Sequence, residues 1–137
     1  MIIKNLNLDV NRDIKIVKLH KKMLGYDLEI TDKYNVKVFY DYNNNFIGYI
    51  IYYYDINKVT ISWIYAPNYG KKIMKKMETI FKKNNINEIL LNVSIDPTEN
   101  KNDVMRRLNF YIGLQYKVHD IKFRKKNGPL FLMHKKI

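Results

Sequence analysis

The chain has 137 residues, no cysteine, and 25 basic against 13 acidic side chains, a formal net charge of +12. That length fits one domain, and 47% hydrophobic residues suffice to bury a core, so global disorder is excluded despite the charge. Without cysteine there is no disulfide scaffold, no thiolate metal site and no Cys nucleophile.

Residues 2–8 (IIKNLNL) read as a first strand. From Arg12 to Leu24, apolar Ile16, Val17, His20, Met23 and Leu24 recur at helical spacing, with Asn11 as N-cap and Gly25 as stop. Val36–Tyr42 and Phe46–Asp55 read as a hairpin across the turn Asn43-Asn44-Asn45, with a short helix before Val36 left open. Ile56, Asn57 and Lys58 turn the chain again into Val59–Tyr65, a strand rich in β-branched and aromatic residues. From Gly70 the period changes: Ile73, Met74, Met77, Ile80 and Phe81 mark one face of a helix whose other surface is lysine. Asn84 and Asn85 end it, and Glu88–Ser94 is an apolar strand. Asp96, Pro97 and Thr98 break the chain before a helix marked by Val104, Met105, Leu108, Tyr111 and Ile112 and closed by Gly113. Gln115–Phe123 and Leu130–His134 are strands around the turn Asn127-Gly128-Pro129. The order β-α-β-β-β-α-β-α-β-β predicts a mixed sheet. Val59–Ser94 forms its parallel crossover, hairpins flank it, and helices cover both faces.

The charge invites a nucleic-acid reading, because clustered cations release phosphate counterions. Yet there are 21 Lys and only 4 Arg, and Lys, Asn, Ile and Tyr make up half the chain. Their codons are AT-rich, so a biased genome produces this composition without an anionic partner. Proteins that read bases lean on Arg for its bidentate fork. Nucleic acid is therefore the disfavoured partner, and a general pull on anionic ligands the favoured one. No apolar run approaches the ~20 residues that span a bilayer, and the N-terminus lacks a signal-peptide core. The expectation is one cytoplasmic domain over residues 1–137 with no membrane partner.

The most informative junction is Tyr65-Ala66-Pro67-Asn68-Tyr69-Gly70-Lys71-Lys72, between a strand and a helix. A helix N-terminus offers unpaired N–H groups and a positive dipole end, which suit a phosphate. Gly70 permits close backbone approach, Asn68 tolerates the left-handed conformation, and Lys71 and Lys72 add charge. Neither the dinucleotide fingerprint nor the P-loop is present.

With a second block, NDVMRRLNFYIGL from Asn102 to Leu114, this loop resembles the GNAT superfamily of acetyl-CoA-dependent N-acetyltransferases. The family's [Q/R]xxGx[G/A] loop aligns with Tyr65, Asn68 and Gly70, of which Gly70 matches. Its N-x-x-A-x-x-L-Y-x-x-x-G-F segment aligns with Asn102, Leu108 and Gly113 matched, Met105 for the Ala, Asn109 for the Tyr and Leu114 for the Phe. The resemblance is clearest over residues 36–137. It implies an α/β (α+β) fold, a GNAT-like mixed, mostly antiparallel sheet of six to seven strands around a central splayed parallel pair.

It further implies that acetyl-CoA is the cosubstrate and sits in the V-shaped gap where the strand ending Trp63-Ile64-Tyr65-Ala66 splays from Leu90–Ser94. Backbone groups near Ile64 and Ala66 are then expected to pair with the pantetheine, and amides from Asn68 and Tyr69 to Lys72 to hold the pyrophosphate. Asn102 faces the pantetheine arm, and Arg106 is either a phosphate contact or solvated. The reaction is direct attack of an amine on the thioester, with a base, oxyanion donors and an acid for the thiolate. The family's acid tyrosine is Asn109 here, which donates a hydrogen bond but no proton. Tyr111 and Tyr116 are the candidate substitutes. Asp96 and Glu99 follow the splayed strand as base candidates, although Asp96-Pro97 is also a common turn starter. The three histidines are scattered, and no metal is implied. Trp63 and Tyr52–Tyr54 are candidate walls of an acceptor pocket, or core.

Three functions compete: an N-acetyltransferase for a small-molecule or protein amine, a degenerate CoA-binding or interaction module, and a basic nucleic-acid binder. The loops that choose the acceptor, Leu24–Asn35 and Lys122–Pro129, carry no diagnostic pattern. Arg124, Lys125 and Lys126 argue against a polycationic acceptor. Homodimerisation is left open.

Overall fold

The computed structural model describes residues 1–28 and 31–137. The elements in chain order are β1 (Ile2–Asn5), α1 (Asn11–Leu24), β2 (Asn35–Tyr40), β3 (Phe46–Asp55), β4 (Lys58–Tyr65), α2 (Gly70–Lys83), β5 (Glu88–Ser94), α3 (Lys101–Gly113), β6 (Lys117–Lys122) and β7 (Leu130–Lys136). They match the predicted order. Several boundaries move: β2 ends at Tyr40, β6 spans Lys117–Lys122 and β7 runs on to Lys136. The first strand stops at Asn5, because Asn7 N–H turns to the Asp13 carboxylate at 2.7 Å. Asn11 lies inside α1, whose N-cap is Val10. Residues 31–34 form turns rather than a helix, and residues 29 and 30 of that loop lie outside the described residues.

The strands form one seven-stranded sheet in the order β1-β2-β3-β4-β5-β7-β6, antiparallel except for β4 and β5. α1 covers one face through Ile16, over Val38, Tyr40, Tyr49 and Ile51. α2 and α3 cover the other. α2 contributes Ile73, Met74, Met77 and Phe81, each burying a side chain that stabilises by roughly 1.5–3 kcal/mol. Asn supplies much of the turn chemistry that glycine usually supplies. Asn44, Asn57, Asn68 and Asn85 all have φ between 58° and 68°.

The parallel pairing is short. It runs only from Lys58–Ile61 to Glu88–Leu91. Beyond it β4 stays paired to β3 through Tyr65, and β5 to β7 through Ser94. The two strands therefore part company at their C-terminal halves, as the predicted splay requires. A bulge marks the point of divergence: Tyr52 faces Ile61 and Ile51 faces Trp63, leaving Ser62 as the extra residue. One inserted residue flips the side-chain alternation. Val59 and Ile61 belong to the α2 side, but Trp63 and Tyr65 turn to the α1 side, and Ile64 takes over on the α2 side.

Candidate active site

The splay opens a cavity of about 470 Å³ walled by Ile61, Ser62 and Ile64 of β4, Leu91 and Ser94 of β5, and Tyr111 of α3. A second cavity of about 510 Å³ lies over the start of α2, walled by Ala66, Asn68, Gly70 and Lys71, with Arg106 and Phe110 of α3 opposite. Ile64, Arg107 and Tyr111 line both, so the two spaces meet at a neck between those three side chains.

The second cavity is suited to an anion by its backbone. Asn68 adopts φ 68°, and Tyr69 N–H returns to Ala66 O at 3.1 Å. Ile73 N–H is the first to bond back into the helix, to Tyr69 O at 3.0 Å. The amides of Gly70, Lys71 and Lys72 precede it, with no side-chain cap and no acidic residue in the first turn. Lys71, Arg106 and Arg107 add three cations, against one carboxylate from Asp103, 3.6 Å from Arg106. Gly70 brings the helix start close to α3: a Cβ there would meet the Phe110 ring at 2.9 Å, so the ring would have to shift. Gly48 of β3 is required by the other end of the same loop, since its Cβ would lie 2.4 Å from Tyr65 O.

At the neck, burial pushes the Tyr111 phenol up to about 12, partly opposed by the Arg107 cation. Tyr111 is thus a proton donor throughout the neutral range. Arg107 Nη2 donates to Ser94 O at 2.7 Å, which pins α3 to the end of β5. Its Nη1 lies 2.9 Å from Glu99 Oε2, at an ion-pair distance but without hydrogen-bond alignment. Glu99 therefore lines the first cavity with a carboxylate whose inner oxygen has a nearby charge and no aligned donor. Arg124 closes the base of the β6–β7 loop by donating to Ser94 Oγ at 2.6 Å and Gly128 O at 2.9 Å.

The structure brings Ile64, Ala66, Asn68, Gly70, Lys71, Arg106 and Tyr111 of the predicted residues to the cavities, together with the base candidate Glu99 and the candidate wall Trp63. It places the others elsewhere. The Tyr65 side chain is on the α1 face, 6.3 Å from the Phe46 ring. Tyr69 packs against the core, and Lys72 is exposed. Asn102 is exposed at the start of α3, where its N–H meets the Asn100 cap at 2.8 Å. Asn109 is exposed on α3, outside the lining of both cavities. Tyr116 is buried beside Tyr111 but outside the lining of both cavities, its hydroxyl donating to Glu78 at 3.2 Å, and burial followed by that carboxylate raises its pKa strongly. Asp96 is the turn starter: it accepts from Thr98 N–H at 2.9 Å, which leads the interactions that hold its pKa below the usual carboxylate value. Tyr52 is core, against Phe81.

Sequence reasoning missed Arg107 and Phe110. The signal for Arg107 was present, because a residue four before Tyr111 shares its helix face. Nothing in the local sequence marks Phe110, since its role comes from the approach of Gly70 across two elements.

No protein-family model matches the chain, and no curated protein matches it. Solved structures do. The aminoglycoside 6'-N-acetyltransferase of Enterococcus faecium superposes with a TM-score of 0.76 at 14% identity, over 99% of this chain and 97% of that one. The ribosomal-protein-S18-alanine N-acetyltransferase of Escherichia coli gives 0.69 at 12% identity, over 99% and 93%. A Bacillus subtilis acetyltransferase in complex with CoA gives 0.68 at 12% identity, over 98% and 97%. A seven-stranded sheet with one splayed parallel pair, matched end to end by these enzymes, is the GNAT N-acetyltransferase fold, and this chain has it.

Proposed function

We propose that the protein is a divergent GNAT N-acetyltransferase that moves the acetyl group of acetyl-CoA directly to a primary amine of a small-molecule or protein acceptor. The observation that carries this reading is the neck. Two cavities of different character meet at one buried, protonated phenol, inside the splay of β4 and β5. The residues present fit the CoA moiety. The amides of Gly70, Lys71 and Lys72, with the Lys71 and Arg106 side chains, hold its pyrophosphate. The edge that β4 turns towards β5 beyond Ile61 is unpaired there, and it receives the pantetheine amides as an added strand would.

Tyr111 then protonates the departing thiolate, taking the place that Asn109 cannot fill. Glu99, on the other side of the neck, accepts the amine proton, directly or through one water, and Arg107 orients it. With no cysteine in the chain, transfer proceeds without a Cys acyl-enzyme. No helix among the described residues is long and apolar enough to cross a membrane. A cytoplasmic, single-domain enzyme over residues 1–137 is part of the proposal.

One observation favours a second reading. Asn109 stands where the family tyrosine is expected, as it would in a module that binds CoA without turnover. Thiol release from acetyl-CoA with a panel of amines separates the two. Amine-dependent release supports the enzyme; CoA binding with no release from any amine supports the module.

A further inference from the structure

Beside the first cavity lies a recess of about 190 Å³, sharing Tyr26, Ser62 and Trp63 with it as common wall. His20, Asp27 and Tyr34 complete its polar and aromatic lining. His20 lies on the buried face of α1. Trp63 Nε1–H donates to the Tyr49 hydroxyl at 3.0 Å, and that hydroxyl lies 2.7 Å from His20 Nδ1. The Tyr26 and Trp63 rings both stand nearly perpendicular to the His20 ring, with centroids 5.7 and 6.0 Å away. Burial lowers the His20 pKa, so the ring is uncharged at neutral pH. The recess therefore offers aromatic surfaces, a neutral imidazole and the Asp27 carboxylate.

The distribution of charge is the second observation. Of 25 basic side chains, Arg107 alone lines the first cavity or this recess among the described residues, and it faces Glu99. Arg124, Lys125 and Lys126 line neither, and the Arg124 guanidinium is taken up by Gly128 O, Asn127 O and Ser94 Oγ, so the expected repulsion of a cationic acceptor is not built into the walls. Among the described residues Asp27 pairs with Lys21 at 3.4 Å; both side chains are largely exposed, so the pair exchanges easily for a better cation. Lys33 already sets its ammonium 5.3 Å over Tyr34 and 4.6 Å over Tyr53, which leaves Tyr26 and Trp63 as the ring surfaces for a ligand.

An aromatic corner with a carboxylate at hand is the chemistry that recognises an ammonium ion. We propose that the acceptor is an aliphatic diamine. One amine lies at the Tyr111 neck, and the second, as an ammonium, rests between Tyr26 and Trp63 with Asp27 as counter-ion. This proposal rests on the acetyltransferase reading for the first amine, while the second site stands on its own walls.

Trp63 is the chain's single tryptophan, so its emission reports the recess directly. The intact protein, without acetyl-CoA, is titrated with 1,5-diaminopentane and with n-pentylamine while Trp63 fluorescence is followed. The diamine is expected to bind about tenfold more tightly than the monoamine, and tetramethylammonium to compete with it. Tyr26→Leu and Asp27→Asn should each remove most of that preference while keeping the melting midpoint near wild type. Equal binding of the two amines, or a diamine preference that survives both substitutions, overturns the proposal. The outcomes stay separable from those of the acetyltransferase reading. Diamine discrimination without any acetyl-CoA binding keeps the cation site and removes the reading. Acetyl-CoA turnover without discrimination does the reverse.

Discussion

The two cavities that meet at Tyr111 are made of opposite materials. The one over α2 uses backbone amides, a left-handed Asn68 and the cations Lys71 and Arg106, all of which suit a polyanion. The one in the splay, with its side recess, uses aromatic rings, Glu99, Asp27 and a neutral histidine, and has one cation, Arg107, among the described residues. The difference teaches why the loop can depart so far from the GNAT pattern it resembles. Holding a phosphate with N–H groups depends on the turn and the helix start, so Asn68 serves for a glycine and Tyr65 points its side chain to the opposite face. Selecting an acceptor depends on side chains, and those come from four separate elements or loops.

The contrast makes graded predictions. The largest effect belongs to the neck: Tyr111→Phe should lower kcat by about 10²–10⁴ and leave the KM for acetyl-CoA close to wild type, as measured by thiol release. If Asn109→Ala caused that loss and Tyr111→Phe did not, the acid would be misassigned. Gly70→Val comes next. Its side chain drives the Phe110 ring into the cavity over α2, so acetyl-CoA should bind about ten- to a hundredfold more weakly by calorimetry, while diamine binding at Trp63 is retained.

Lys71→Ala should weaken acetyl-CoA binding by a few-fold at low salt, and by less in high salt, because an exposed cation paired with a phosphate contributes about 0.2–1 kcal/mol and salt screens it. The smallest effect is on stability. The folded-state pKa of His20 lies below 6.5, so the unfolded chain binds the proton more readily. Stability from this group is therefore full above about 6.5 and is lost as pH falls through the folded value. His20→Gln should flatten the fall of the melting midpoint on acidification; an unchanged slope would contradict the assignment.

The order of elements was legible because periodicity changes sharply at Gly70 and at Glu88, and because asparagine and glycine stand at the turns. The cation-lined cavity was legible for the same local reason: loop, helix start and lysine are contiguous. The Ser62 bulge was not, since VTISWIY alternates well without it and only the pairing to β3 shows the extra residue. That bulge decides that Trp63 faces the recess and Ile64 the neck. Tyr26 and Tyr34 sit in a loop with no pattern, and they matter only because the fold sets them beside Trp63. Tyr116 looked as suitable as Tyr111 on sequence distance; burial against Glu78 removed it.

The central claim is that the loop from Asn68 to Lys72 and the Tyr111 neck form an acetyl-CoA site. The melting midpoint of wild type and Gly70→Val, followed as acetyl-CoA is raised to millimolar concentration, tests it most directly. A saturable rise in wild type that is largely lost in Gly70→Val is the predicted result. A wild-type midpoint that does not move would contradict it.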